Sequence, residues 1–392
     1  MTYAYGLRTA AGAVLTAALA LAAPAQAAGT DPWVRSWGIN TVGQLGNGSL
    51  VNQQTPGSMR DLARDEVRQL SAGGYSDATG FVAALLKDGT VRSWGNNTMG
   101  QLGNGTTVNQ STPATVAGLS GVSRIASGTT HVLALRAGRL LAWGGNAYGE
   151  LGNGTIVPTK DGTQNLPLPV QSIDEVKDVS VGCAFSVALR QDGSVWTWGT
   201  NSYGRLGLGD TNNRPTPQQV TGLSDIVAIS AGCQHVLALT AEGTVKAWGR
   251  GQDGRLGTDS TDDSPLPADV AHLDGVARIY AGARHNFAVL EDGEVRAWGA
   301  NASGQLGDGT TTDRTTPVPI DALRDIQDLD PGANHTLAVR TDQSVLAWGD
   351  NAAGQLGDGT TKPVLVPVRV LPAGSGITHV DAATNANSSY AY

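Results

Sequence analysis

Short apolar segments separated by glycine-rich turns recur along this chain, and residues 223–273 show their order most clearly. The segment IVAISAG precedes a second one, HVLALT, and the pair Glu242-Gly243 separates HVLALT from TVKAWG. Because glycine tolerates the positive φ of a two-residue hairpin turn, these segments predict adjacent antiparallel strands. A long loop then leads to LPADV, whose proline suits an edge strand because proline cannot donate to a ladder. The pattern predicts four short strands.

The same unit recurs along the sequence. A Trp-Gly pair begins at Trp37, Trp94, Trp143, Trp198, Trp248, Trp298 and Trp348. A Gly-x-Leu-Gly motif follows each pair, at 43–46, 100–103, 149–152, 204–207, 254–257, 304–307 and 354–357. Four short antiparallel strands repeated about every 50 residues are typical of a β-propeller blade.

The two ends of the chain complement each other. The first unit begins at 33–38 with only a third and a fourth strand, and the last ends at 377–392 with only a first and a second. We therefore predict an all-β, seven-bladed propeller over 29–392, whose last blade is shared between 29–65 and 372–392. Ring closure leaves only short, protected sheet edges.

The recurring Trp-Gly and Gly-Gln-Leu-Gly-x-Gly-Thr motifs, in register over about residues 30–392, resemble the regulator-of-chromosome-condensation repeat. The resemblance implies a seven-bladed propeller with a shared last blade. The eukaryotic founder of that family is a guanine-nucleotide exchange factor for a small GTPase. This chain lacks a basic tail and a long wedge-like insertion, so the resemblance does not favour that activity here.

Residues 1–28 differ in composition from the repeats. Arg8 precedes an apolar run from Ala10 to Ala23, and Ala25-Gln26-Ala27 fits a small-x-small cleavage site. This pattern predicts a secretory signal peptide, and no later segment has membrane-spanning length. We expect a secreted, monomeric protein. The formal net charge of −8 argues against nucleic acid as a partner.

No motif predicts catalysis, a cofactor or a metal. Four histidines occupy one repeat position, the start of the second strand: His131, His235, His285 and His335. A residue repeated once per blade suggests a structural hydrogen bond, whereas a catalytic base would stand at one place with its own partner. Asp259, Asp262 and Asp263 lack an EF-hand arrangement and suggest a solvated loop. An enzyme would need a unique polar cluster near the central channel, and the sequence shows none.

Two further repeat positions also favour a structural role. The Trp-Gly tryptophans should close the third strand against the neighbouring blade. An asparagine follows three residues later in six units, at Asn40, Asn97, Asn146, Asn201, Asn301 and Asn351. Asparagine tolerates left-handed backbone and bonds to its own loop.

Cys183 and Cys233 lie in matching contexts 50 residues apart. An oxidising compartment permits a disulfide between them. Two small buried residues filling the same slot are the simpler interpretation.

The first–second and third–fourth strand loops should emerge on one face of the ring, and they differ most between units. We predict partner contacts by Tyr75, Asp77, Tyr148, Tyr203, Arg205, Arg250, Arg255 and Arg284. Tyrosine and arginine are common at interface hot spots. The alternative is that these loops vary because nothing constrains them.

The function that this pattern favours is a secreted, non-catalytic module that binds a protein or cell-surface partner. The alternative is an inhibitor of a secreted enzyme. The β-lactamase-inhibitory propellers of soil bacteria resemble this chain in export and repeat type, but their blades are shorter and lack the long Gly-Gln-Leu-Gly insertion.

Overall fold

The structure, a computed structural model, describes residues 32–157, 163–384 and 386–392. The predicted signal peptide lies outside these residues. The first strands described are β1 (Trp33–Gly38) and β2 (Gln53–Ala63), which belong to the last blade.

Six continuous blades follow, each a four-stranded antiparallel sheet in chain order. Blades 1 and 2 comprise β3 (Val67–Gly73), β4 (Phe81–Leu86), β5 (Val91–Gly95), β6 (Gln110–Thr115), β7 (Arg124–Ser127), β8 (His131–Arg136), β9 (Arg139–Gly144) and β10 (Gln164–Pro169). Blades 3 and 4 comprise β11 (Val176–Gly182), β12 (Phe185–Arg190), β13 (Val195–Gly199), β14 (Arg214–Gln219), β15 (Ile226–Ala231), β16 (His235–Thr240), β17 (Val245–Gly249) and β18 (Ser264–Asp269). Blades 5 and 6 comprise β19 (Val276–Ala281), β20 (His285–Leu290), β21 (Val295–Gly299), β22 (Arg314–Pro319), β23 (Ile326–Pro331), β24 (His335–Arg340), β25 (Val345–Gly349) and β26 (Val364–Leu371).

Blade 7 closes the ring with strands from both ends of the chain. β27 (Val380–Ala382) and β28 (Ser388–Ala391) supply its inner half, and β1 pairs antiparallel with β28 through Ser36 opposite Tyr390. Its strand order is therefore β2-β1-β28-β27. The seven-bladed propeller with a shared last blade is confirmed.

The hydrophobic core lies between blades. One cluster joins Phe185 and Val187 of blade 3 to Val236 and Trp248 of blade 4, and similar clusters occupy the other interfaces. The second strands are buried on both faces, which explains their nearly continuous apolar sequence. Each blade is thus held by its two neighbours, and the loops at both ends of the strands stand on a rigid ring.

Candidate functional site

The ring repeats one contact between every pair of neighbouring blades. The indole Nε1 of each Trp-Gly tryptophan donates to a main-chain carbonyl of the preceding blade in the ring. The acceptor is the second residue of that blade's Gly-x-Leu-Gly motif, which we call position x. The bonds are 2.8–3.2 Å long and join Trp37 to Gln355, Trp94 to Gln44, Trp143 to Gln101, Trp198 to Glu150, Trp248 to Arg205, Trp298 to Arg255 and Trp348 to Gln305. All seven tryptophans are fully buried. Position x therefore has one structural task, performed by its backbone, in every blade.

The repeated histidines bridge the same junctions. His285 Nε2 lies 2.9 Å from Thr336 Oγ1 of the next blade, and that hydroxyl donates to the Gln305 carbonyl, so the histidine is the donor to the threonine. Equivalent pairs are His131–Ser186, His235–Asn286 and His335–Ser389. Where phenylalanine replaces histidine, at Phe81 and Phe185, the facing positions 132 and 236 are valine.

Burial keeps these histidines neutral. It lowers the pKa of His131, His235 and His285 to about 3 and that of His335 to about 4. Within the residues that the structure describes, no group of three or more metal-ligating side chains converges. The arrangement fits a structural role for the histidines.

The side chain at position x varies, and it sets the shape of the loop before it. In five blades it is glutamine or glutamate, whose side-chain oxygen accepts the N–H of the residue two places earlier. These bonds are 2.7–3.0 Å long and come from Val42, Met99, Tyr148, Ser303 and Ala353. The peptide plane before each of these residues therefore points its N–H at the side chain.

Blades 3 and 4 have arginine at position x, and the peptide plane is reversed. Arginine has no acceptor, and Arg205 Nε instead donates to the Ser202 carbonyl at 2.9 Å. Arg255 Nε donates likewise to the Gln252 carbonyl at 2.8 Å. Reversal of this peptide gives Tyr203 a φ of 65° and Asp253 a φ of 64°, values typical of the third residue of a type II turn. None of the five equivalent residues in the other blades has a positive φ.

The reversed turns assemble a cationic region that we call the arginine cluster, formed by Arg205, Arg250, Arg255 and Arg284. The Arg250 guanidinium lies 4.5 Å from the centre of the Tyr203 ring, and Arg205 approaches the same ring at 5.7 Å. Asp253 pairs with Arg255 at 2.7 Å and lies 3.8 Å from Arg284. One carboxylate therefore serves two guanidinium groups.

Two of the predicted partner-binding residues, Arg205 and Arg255, are buried, and their role in binding stays a prediction. Arg205 is 4% and Arg255 1% exposed, because both fold under their own loops. Burial lowers the pKa of Arg205 to about 10, with repulsion from Arg250 and Arg255 adding to the effect. Burial also lowers the pKa of Arg255, against the opposing attraction of Asp253. These two residues can act on a partner through their charge and by shaping the loops, but not by broad surface contact.

The remaining predicted residues fall into two places. Tyr148 and Tyr203 are 47% and 39% exposed, and the Tyr203 ring contacts Arg205 and Arg250 of the arginine cluster. Tyr75 is exposed on blade 1, and no contact connects it to the cluster among the residues described. Asp77 is used for ring closure: its carboxylate accepts the backbone N–H and the side-chain amide of Asn387. Asp77 thus has a structural contact in the ring, and its contact with a partner stays a prediction.

The asparagines after the tryptophans bond within their loops, but not through left-handed backbone. Asn201 Oδ1 accepts the Leu206 N–H, and the other five asparagines make the same bond. Asn201 has a φ of −119°, and no asparagine of this set has a positive φ. The predicted bond within the loop is therefore present, and it shapes the loop without left-handed backbone at the asparagine.

Cys183 and Cys233 form a disulfide that joins the first–second loops of blades 3 and 4. Both residues are half-buried, so the interpretation as two small buried residues does not hold. The Cys183 carbonyl accepts a bond from Arg205 Nη1 at 3.1 Å. The disulfide thus lies directly beside the arginine cluster.

The central channel holds a polar cluster that sequence reasoning missed. Asp328, Asp330 and Asp381 lie on the first strands of blades 6 and 7, and burial raises the pKa of all three, that of Asp381 to about 7. Each accepts a backbone N–H from the next blade, namely from Val380, Ala382 and Ala72. Elsewhere Ser71, Ser180 and Ser230 do the same with their hydroxyls. Alignment of the first strands would have shown Asp330 and Asp381 in serine positions, with Asp328 in the position of Gln69.

Comparison with known proteins places this architecture in a family. A family model described as the RCC1-like domain matches residues 10–338 and 156–392. The ultraviolet-B receptor UVR8 of Arabidopsis thaliana is 31% identical over 192 residues, which cover 48% of this chain and 42% of that protein. The probable E3 ubiquitin-protein ligase HERC6 of Homo sapiens is 33% identical over 195 residues, 48% of this chain and 18% of that protein. The matches thus span less than half of these curated relatives.

Solved structures share the fold at low sequence identity. Prp20p of Saccharomyces cerevisiae, described with its binding to Gsp1p and histones, has a TM-score of 0.79 at 23% identity and covers 92% of this chain and 91% of its own. Human WBSCR16 has a TM-score of 0.79 at 21% identity and covers 91% and 98%. No helix of the described residues has the length and apolar character needed to cross a bilayer. With the family model matched over most of its length, the chain belongs to the RCC1-like domain family.

Proposed function

We propose that this chain is an exported, non-catalytic propeller that binds a protein partner through the loop face of blades 2–5. Exposed Tyr203 lies there against Arg250, and exposed Tyr148 and Arg284 lie on neighbouring loops of the same face. Inter-blade hydrogen bonds hold the loops of both tyrosines. Rigid tyrosines flanked by arginines are the side chains that dominate binding energy at protein interfaces.

The observation that carries this proposal is the conformation of Tyr203. A non-glycine residue at a φ of 65° is uncommon and costs free energy, and here it places an aromatic ring in contact with solvent against Arg250. Backbone strain that presents an exposed side chain is more typical of a binding surface than of a stabilising contact. That Prp20p is described as binding Gsp1p and histones supports a macromolecular partner.

Export is the second element of the proposal. It is supported by the apolar run from Ala10 to Ala23 and by the following small-x-small site. Mass spectrometry of the protein from the culture medium should find a mature chain that starts near Ala28. Recovery of the chain only inside the cell, with residues 1–28 attached, would refute export without affecting the binding surface.

The experiment for the binding surface is affinity capture with the purified chain, followed by measurement of the dissociation constant of the captured partner. We expect the double variant Tyr148→Ala/Tyr203→Ala to weaken binding by tenfold or more. The matched control is Leu266→Ala/Val366→Ala, which removes comparably exposed apolar side chains from outer strands. Equal binding by the wild type and the tyrosine variant would refute this surface.

The assay also separates binding from inhibition. If the captured partner is a secreted enzyme, its activity is measured with and without a molar excess of the chain. If the wild-type chain lowers the activity of that enzyme and the tyrosine variant does not, the chain is an inhibitor that acts through the same surface.

A further inference from the structure

A cavity of about 320 Å³ opens on the loop face beside the arginine cluster. The first–second loops of blades 4, 5 and 6 form its walls, including Gln234, Arg284 and Asn334, and Arg255 also lines it. Its volume is at the lower end of the range for small-molecule sites and accommodates one side chain of a partner.

Positive charge around this cavity is incompletely neutralised. Asp253 is the one carboxylate within 4 Å of the cluster's guanidinium groups in the part of the chain that the structure describes. Arg255 Nη1 is buried and has no hydrogen-bond partner among those residues. Arg250 donates to Gln234 Oε1 and Arg284 to Asn334 Oδ1, which orient both cations without neutralising them. This local excess of positive charge occurs in a chain whose formal net charge is −8.

We infer that this cavity binds a carboxylate that an acidic segment of the protein partner presents to Arg255 and Arg284. Guanidinium groups bind carboxylates through charge-assisted hydrogen bonds, and Nη1 of Arg255 is left to donate one because Nε and Nη2 bond to Gln252 and Asp253. A second anion beside Asp253 would relieve the repulsion among four arginines and could engage the uncompensated charge of Arg255. Because Arg250 connects the cavity to exposed Tyr203, the anion is assigned to a protein segment that covers both features.

This inference rests on the proposed function but is tested without the partner. Isothermal titration calorimetry of the full chain at low salt uses a hexaglutamate peptide as the probe, with hexaglutamine as the uncharged control. We expect hexaglutamate to bind and hexaglutamine not to bind. Sodium sulfate forms a separate arm: if sulfate binds and hexaglutamate does not, the site takes small inorganic anions and the inference is wrong.

Matched charge variants locate the binding. Arg284→Gln should weaken hexaglutamate binding roughly tenfold, the usual effect of losing a charge-assisted hydrogen bond. Arg324→Gln removes the same charge from an exposed arginine outside the cavity and should change the affinity less than twofold. Arg284 is exposed, so its variant tests the cavity without disturbing the core, whereas Arg255→Gln reports on the buried cation. Equal effects of the Arg284 and Arg324 variants would show diffuse attraction and overturn the inference.

The outcome is separable from that of the proposed function. If the tyrosine variant loses partner binding and the wild type does not bind hexaglutamate, the proposed surface is supported and the carboxylate site is refuted. Hexaglutamate binding that depends on Arg284, without any effect of the tyrosines on capture, would support the site and refute the proposed surface.

Discussion

The loop face of blades 3 and 4 and the channel of blades 6 and 7 both carry titratable side chains at repeat positions where several other blades have glutamine or serine. In the channel, Asp330 and Asp381 replace serines and accept the same backbone N–H bonds. On the loop face, Arg205 and Arg255 replace glutamine or glutamate, keep the backbone bond to the next tryptophan, and reverse the preceding peptide. The aspartates preserve a contact, whereas the arginines change the loop that they support.

The comparison shows how the loops of a repeated fold can vary while the contacts between its blades stay the same. Position x contributes its carbonyl to the ring and its side chain to the loop, so a substitution there alters the surface while the blade junction remains. The side chain at position x sets the orientation of the preceding peptide and so creates the arginine cluster.

The largest expected effect tests whether blades with arginine at position x and blades with glutamine there are joined to the next blade in the same way. Trp298→Ala removes the indole bonded to Arg255, and Trp348→Ala removes the one bonded to Gln305. Each should lower the free energy of unfolding by about 3–5 kcal/mol, because a large buried side chain leaves a cavity. Urea denaturation of both variants should give similar losses. A much smaller loss for Trp298→Ala would show that arginine-bearing blades are joined differently.

The next effect concerns the histidine junctions that both regions use. Thr336→Val removes the acceptor of His285 and should cost about 1–3 kcal/mol, since a buried N–H is left without a partner. The double variant His285→Phe/Thr336→Val reproduces the phenylalanine–valine pair found at 81 and 132. We expect it to cost less than the sum of the single variants in a double-mutant cycle. Additive losses would refute the pairing.

A smaller expected effect is a pH dependence of stability that comes from the channel and not from the loop face. Since the folded pKa of Asp381 is raised to about 7, its contribution to stability is full below about pH 4 and is lost as pH rises through 7. Asp381→Asn keeps an oxygen for the Ala72 N–H but does not titrate. It should match the wild type at pH 4 and exceed its stability by about 1–2 kcal/mol at pH 8, less than the full shift because the channel leaves the side chain partly exposed.

The buried histidines do not disturb this comparison. Their lowered pKa values make the free energy of unfolding rise with pH between about 3 and 6.5, equally in the wild type and in Asp381→Asn. Asp274→Asn makes the same substitution in an exposed loop and is the control for the substitution itself. A variant Asp381→Asn that is less stable than the wild type at pH 8 would contradict the raised pKa of the Asp381 carboxyl group.

Most of the fold could be predicted from the sequence because the repeat records the backbone contacts. The Trp-Gly and Gly-x-Leu-Gly motifs identify the blades, and the incomplete units at the two ends identify the closure. Burial of Arg205 and Arg255 could not be read in the same way, since arginine in a variable loop is usually exposed. The available signal was that Arg205 and Arg255 replace glutamine at a repeat position. The disulfide could not be predicted because the spacing of the two cysteines in the sequence does not give the distance between their blades.

A crystal structure of the Arg255→Gln variant tests the central claim most directly. We predict that Asp253 takes a negative φ and that its N–H donates to the introduced side-chain oxygen, as Ser303 does to Gln305. The bond from the Trp298 indole to the carbonyl of residue 255 should persist. If Asp253 kept its φ near 64°, the side chain at position x would not determine the loop, and the account would be wrong.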